Sequence, residues 1–268
     1  MEVNQEARAG KAWNTLINAA AEHKKLTYSE LGEAIQVHHR HVSRPLGFIQ
    51  EYCMTNRLPP LTILVHQKGR GPGAGFIAWD ISDLEEGFYK VFHFNWRDLR
   101  NPFTYALNGA TQDSLAVQLL EMPHRSEDVY RQVRDRGVAQ QIFRTVLFEA
   151  YSESCAFCGF SFGAALEAAH IIPWAAASAR ERMNVCNGLL LCATHHRLFD
   201  AGLISVTEHH VMDHLPDDGT YTPIEAALTK ELHGRKLRLP SKGEYWPAPE
   251  LLRKRTELQK EASQPRDE

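Results

Sequence analysis

Two short ligand pairs, Cys155-Ala156-Phe157-Cys158 and Cys192-Ala193-Thr194-His195, constrain what this chain can fold into more than any other feature. Each pair leaves a two-residue gap, which brings two soft donors onto one turn, and two such pairs supply the four ligands of a closed tetrahedral zinc site. The chain has five cysteines in 268 residues, and all but Cys53 lie between positions 155 and 192. So local a clustering suits metal binding better than a disulfide scaffold. Cys186 falls outside either pair and stands as a competing ligand. The plainer alternative makes Cys155 and Cys158 small buried hydrophobes or a redox pair, with His195 merely exposed. With protein filling all positions, the zinc would have no open place for water and would be structural.

A chain of this length can bury a core of its own, and two modest domains are expected, residues 1–125 and 126–268. A hydrophobic content of 43% with 24% charged residues is ordinary for a globular protein. No apolar run approaches the roughly 18 residues of a membrane span, and Met1 to Arg8 lacks the apolar core of a secretory signal, so a cytoplasmic location is expected. The formal net charge of −3 argues mildly against a broad nucleic-acid-binding face. Local basic clusters occur at 38–44, 68–70, 235–238 and 253–255. They read either as solvated faces or as contact surfaces, and Arg40, Arg44, Lys68 and Arg70 are the candidates for DNA contact.

Along the N-terminal half, Trp13, Leu16, Ile17 and Ala20 recur at helical spacing. Thr27-Tyr28-Ser29-Glu30 forms a capping box ahead of a second helix. Ser43 is placed to cap a third helix, with Pro45 in its first turn and Leu46, Ile49 and Cys53 as its stripe. Pro59-Pro60 ends it. Leu61 to Val65 is expected as a strand, Lys68 to Gly75 as a glycine-rich turn and Phe76 to Trp79 as a returning strand. Three helices followed by a hairpin is the order of a winged helix, which either reads DNA or docks a protein. The stretch Gly69 to Gly75 lacks the lysine-serine ending of a phosphate-binding loop and fits a hairpin tip better. Helices are expected at 84–92 and 112–122, and a solvated connector at 125–136.

An apolar-periodic helix from Gln140 to Tyr151 leads into the first cysteine pair. Between the pairs lies Leu166-Glu167-Ala168-Ala169-His170-Ile171-Ile172-Pro173-Trp174, and Asn187-Gly188-Leu189-Leu190-Leu191 precedes the second; His196 and Leu198-Phe199-Asp200 follow it. From about Phe143 to Val206 these segments resemble the HNH endonuclease family, in the branch with a Leu-Glu-Ala-Ala-His-Ile segment and an Asn-Gly-Leu-Leu-Leu segment ahead of His-Arg-Leu-Phe-Asp. The resemblance implies an α+β chain whose C-terminal part is a ββα-metal nuclease: a strand bearing His170, a loop to Asn187, a second strand, and a helix from about Ala193 to Ala201. It also implies that His170 is the general base for phosphodiester hydrolysis, while Asn187 and His196 serve the catalytic magnesium or manganese ion. An imidazole suits the first task near neutral pH, and a Lewis acid suits the charge that builds on the phosphate.

Asp200 lies four residues after His196, hence on the same helix face, and is either a third ligand of that ion or a cap that orients a neighbour. Many HNH enzymes carry a metal ligand immediately before the base, where this chain has Ala169. Either the ion is held by fewer protein groups, or Glu167 substitutes from two positions earlier on the same strand face. Beyond Gly202 a strand is expected at 203–206, helices at 222–232 and 247–260, and disorder from Ala262 to Glu268. The functional expectation is a restriction or defence endonuclease whose N-terminal domain selects double-stranded DNA, with or without a base modification. The alternatives are a nonspecific or RNA-directed nuclease and a zinc-stabilised DNA-binding regulator with a vestigial site. Double-strand cutting by single centres would favour a homodimer.

Overall fold

The structure, a computed structural model, describes residues 3–214 and 219–263, with side chains to residue 261. The chain divides into two compact units, Met1–Gln112 with Gln132–Ala139, and Asp113–Arg131 with Gln140–Glu268.

In the first unit, helix α1 (Gln5–Ala21) opens on Asn4, whose side chain accepts from the Ala7 amide at 2.9 Å. Its buried stripe of Ala9, Ala12, Trp13, Leu16 and Ala20 follows the helical period. The Trp13 ring is the centre of the core, meeting Tyr52, Trp96 and Phe103 edge-on at centroid distances of 5.5, 5.8 and 6.3 Å. Strand β1 (Leu26–Thr27) runs into α2 (Tyr28–Ala34) through the expected capping box: the Glu30 amide donates to Thr27 Oγ1, and the Thr27 amide to Glu30 Oε2. Helix α3 (Ser43–Thr55) begins on Val42 with no side-chain cap, so Ser43 is its first helical residue rather than its cap.

The expected hairpin does not form. Leu61–Leu64 is a 3-10 turn, and only the two residues of β2 (Val65–His66) are extended, pairing parallel with β1. Leu61, Ile63 and Leu64 are all fully buried, so this run has no solvent face to alternate against, and the turn hides it on every side. Phe76 to Trp79 is a loop, because its donors are already engaged: Phe76 N–H by Gly73 O, and Ile77 N–H by Gln50 Oε1 at 3.0 Å. The three helices are therefore present without the flanking strands of a winged helix. Helix α4 (Leu84–His93) follows, with its N-terminus capped by Asp83.

Helix α5 (Gln112–Glu121) and helix α6 (Ser126–Val133) come next. The second replaces the expected solvated connector. Val129 and Val133 are four residues apart and both buried, an apolar stripe that the surrounding charges conceal in the sequence. Helix α7 (Arg136–Ala150) leads to the ββα arrangement of the second unit: β3 (Leu166–His170), the short α8 (Ala179–Arg182), β4 (Gly188–Cys192) and α9 (Ala193–Asp200). β3 and β4 are antiparallel, with Leu166 opposite Cys192 and His170 opposite Gly188. Every residue of β4 is buried. Strands β5 (Ile204–Val206) and β6 (Met212–His214) form a second antiparallel pair, and α10 (Pro223–Leu228) and α11 (Pro249–Ser263) complete the described chain. Of the terminal residues expected to be disordered, 264–268 lie outside the described ones.

Candidate active site and metal centre

The first cysteine pair sits on a tight knuckle. Cys155 N–H donates to Phe160 O and Gly159 N–H to Cys155 O, both at 2.8 Å, and Gly159 takes the left-handed conformation (φ +77°) that closes such a turn. Ala156 N–H donates to Leu190 O, which ties the knuckle to β4. The second pair straddles the junction where β4 becomes α9, with Cys192 as the residue preceding the helix and His195 one turn in. The donor atoms of Cys155, Cys158, Cys192 and His195 all lie within 4.8 Å of one another. His195 Nδ1 is 3.7 Å from Cys155 Sγ and 3.2 Å from Cys192 Sγ. Tetrahedral zinc with ordinary bond lengths would set sulfur and nitrogen about 3.5 Å apart, so the residues fit the ion.

Electrostatics agrees with the geometry. Thiol contacts from Cys158 and Cys192 hold Cys155 far below the usual thiol range, and the reciprocal contacts push Cys192 above it. Burial disfavours a charged His195, but the contacts with Cys155 and Cys158 outweigh it and raise the ring to about 9. Cys186, the possible competitor, instead donates its thiol to Glu244 O at 3.2 Å, and burial raises it to about 11. It plays no part in the centre.

His170, at the end of β3, is half-buried, and its ring stacks on Phe143 of α7 with centroids 4.1 Å apart and planes 14° from parallel. Its Nε2 lies 3.0 Å from Arg182 O. A carbonyl oxygen can only accept, so Nε2 carries the proton and Nδ1 is the basic nitrogen of the neutral ring. Gly188, opposite His170, makes this stack possible: a Cβ there would come within 2.7 Å of Phe143 and Leu147.

His196 leaves α9 between two acids. Its Nδ1 is 2.5 Å from Glu167 Oε2 and its Nε2 is 3.3 Å from Asp200 Oδ2. A divalent cation held between Nε2 and Asp200 would take one nitrogen and one oxygen donor, with Glu167 on the other nitrogen orienting the ring. Glu167 thus reaches the helix from the face it shares with Ala169, which is fully buried and offers no ligand.

Asn187, expected to serve the catalytic ion, lies in the turn just before β4. It is fully buried; its Oδ1 accepts from Ile172 N–H at 2.8 Å, and its Nδ2 donates to Glu181 O at 3.0 Å and Ile172 O at 3.4 Å. Both ends of the amide are taken by backbone, so the side chain clamps the chain just after β3. Arg40, Arg44, Lys68 and Arg70 are exposed on the first unit.

Sequence reasoning missed Arg255. It belongs to a basic run, yet it is 5% exposed; it donates to Ile171 O at 2.8 Å and Phe199 O at 2.6 Å, and lies 3.6 Å above the Phe199 ring. Burial lowers its pKa to about 10, with Asp200 opposing, so it stays cationic near neutrality. The signal was its spacing: Leu251, Leu252 and Arg255 fall on one helix face.

No helix among the described residues is long and apolar enough to cross a membrane. No curated protein matches the chain. The family model described as HNH endonuclease matches residues 155–207, which span both ligand pairs, His170, Asn187, His196 and Asp200, so this segment is similar to the HNH endonuclease family.

Proposed function

We propose that the chain is a metal-dependent endonuclease that hydrolyses DNA phosphodiester bonds, with the first unit selecting the target. The observation that carries this reading is the pairing of a tautomer-fixed imidazole on β3 with a carboxylate-flanked imidazole on α9. His170 Nδ1 takes the proton of the attacking water, while the Arg182 carbonyl holds Nε2–H and the Phe143 ring holds the plane. His196 and Asp200, with Glu167 beside them, would hold a magnesium or manganese ion, which supplies Lewis-acid stabilisation of the negative charge developing on the phosphate and the departing 3′-oxygen. Asn187 keeps the segment after His170 in place, and Cys155, Cys158, Cys192 and His195 hold structural zinc beneath the start of α9. The reading extends to a restriction or defence role on double-stranded DNA, with a two-fold dimer where both strands are cut.

The test is cleavage of modified and unmodified plasmid, single-stranded DNA and RNA by wild type and His170→Ala, with magnesium or manganese added and withheld. Ion-dependent plasmid nicking that His170→Ala abolishes supports the nuclease. A second reading, a zinc-stabilised DNA-binding regulator, draws on Ala169. Duplex binding without cleavage, identical in wild type and His170→Ala, would establish that reading instead.

A further inference from the structure

One hollow of the first unit has no role in phosphodiester hydrolysis. It is a cavity of about 400 Å³ between α2, α3 and the loop after β2, with Tyr28, Leu46, Gly47, Thr62, Val65 and Phe76 among its walls. That volume falls within the range of roughly 300–1,000 Å³ typical of small-molecule sites.

Three features make it a built site. Thr62 is 5% exposed, the one polar residue of a turn whose other side chains are fully buried, and its hydroxyl has no hydrogen-bond partner among the described residues. A buried hydroxyl left unmatched calls for an explanation, and a ligand's polar edge reaching it is one. Gly47 stands on the α3 wall, and a Cβ there would meet nothing within 4 Å, so the helix is hollowed where a side chain would otherwise project. The opposite wall is fixed: Gln50 donates to Gly75 O at 3.2 Å and accepts from Ile77 N–H, which holds the loop carrying Phe76 against α3. Gly73 lies so close to the Tyr28 hydroxyl that a Cβ would approach it to 2.5 Å.

Chemistry then narrows the occupant. Two aromatic rings and aliphatic Leu46 and Val65 favour a flat, weakly polar body, while Thr62 and Gln67 offer hydrogen-bonding groups to its edge. No carboxylate is among the lining residues, whereas the exposed Arg40 is, and Arg44, Lys68 and Arg70 are exposed on the same unit. Such cations suit the phosphates on either side of a nucleotide. We infer that this cavity receives one nucleobase turned out of a DNA duplex, so that the first unit selects its target by the shape and edge of a single extruded base. The inference rests on the reading of the chain as a DNA-directed enzyme, and it deepens what target selection means. A base drawn from the stack is read by stacking and by hydrogen bonds to its exposed edge, and extrusion is easiest where the base is unpaired.

The experiment compares binding of the full, zinc-loaded chain to a fully paired duplex and to the same duplex with one base opposite an abasic position, without added magnesium or manganese. Because no cleavage is read, failure of the nuclease reading shows up separately in the plasmid assay. Wild type should prefer the unpaired-base duplex by about tenfold or more, since the lost pairing no longer has to be overcome. Gly47→Leu, which fills the hollow while raising helix propensity, should bind both duplexes equally, near the wild-type affinity for paired DNA. Thr62→Val should raise the melting temperature and yet reduce the preference, a combination that a purely structural threonine would not produce. Equal binding by wild type, or a preference undiminished in Gly47→Leu, overturns the inference. So does competition by free nucleosides without any preference between the duplexes, which would make the cavity a site for soluble nucleosides.

Discussion

Arg255→Met separates the tie between β3 and α9 from the chemistry those elements carry. The substitution keeps an unbranched, apolar chain of similar length and removes the guanidinium. Two short charge-assisted bonds are lost, to Ile171 O and Phe199 O, together with the stack on Phe199. At about 1.5–3 kcal/mol for each such bond and about 1–2 kcal/mol for a desolvated cation–π contact, the gross loss is about 4–8 kcal/mol. Against it stands the relief of no longer burying a cation, several kcal/mol, which is enlarged here because Nε is buried without a partner among the described residues. The net loss is about 2–4 kcal/mol, which for a unit of this size lowers the melting temperature by roughly 5–15 °C. Scanning calorimetry of zinc-loaded protein reads this, and plasmid nicking at a temperature where the variant is folded reads the second effect. Nicking should fall at least tenfold, because His170 and His196 sit on the two elements Arg255 joins. Lys254→Met is the control: its ammonium pairs with Glu181 at 2.8 Å but is 41% exposed, so it should cost less than about 1 kcal/mol. A shift below about 2 °C in Arg255→Met, or nicking equal to that of Lys254→Met, refutes the reasoning.

Cys158→Ser should leave less than one zinc per chain by elemental analysis and loosen the second unit by circular dichroism, whereas His170→Ala should remain folded, zinc-loaded and inactive; a folded, active Cys158→Ser protein contradicts this. Asn187→Asp should lower stability by about 2–4 kcal/mol in urea titration, because a carboxylate would face the carbonyls of Ile172 and Glu181 with no donor. If Asn187 serves the ion, the same change tightens magnesium binding instead. Gly188→Ala should cost about 1–3 kcal/mol through overpacking against Phe143 and Leu147, measurable by thermal melting, and should depress nicking through the displaced His170 ring. Glu167→Gln should weaken activation by manganese, seen as a raised half-saturating ion concentration, while leaving zinc content unchanged.

The parts of this molecule that could be read in advance are those where local spacing carries the physics. Two ligand pairs, a capping box at Thr27 and Glu30, and the four-residue step from His196 to Asp200 each operate within one turn of chain. Misreadings arose where the deciding partner is distant. Leu61 to Val65 has strand composition, but its burial on all sides is set by the helices packed around it, and the donors of Phe76 and Ile77 are claimed by Gly73 and Gln50. Val129 and Val133 are only two apolar positions among charges, too few to announce a helix. Asn187 matched a motif position correctly; motif matching alone could not say that its amide would turn to the backbone. Arg255 was hidden because a cation in a basic run suggests solvent, and only its position relative to Leu251 and Leu252 contradicts that.

Arg255 has a practical corollary for anyone cutting this gene. The recognisable stretch ends near position 207, yet the side chain that bridges Ile171 and Phe199 enters from almost fifty residues downstream, and the ring that steadies His170 enters from upstream at Phe143. A fragment trimmed to the recognisable borders would keep its ligands and lose the struts that aim them. It should take up zinc and yet be a poor catalyst.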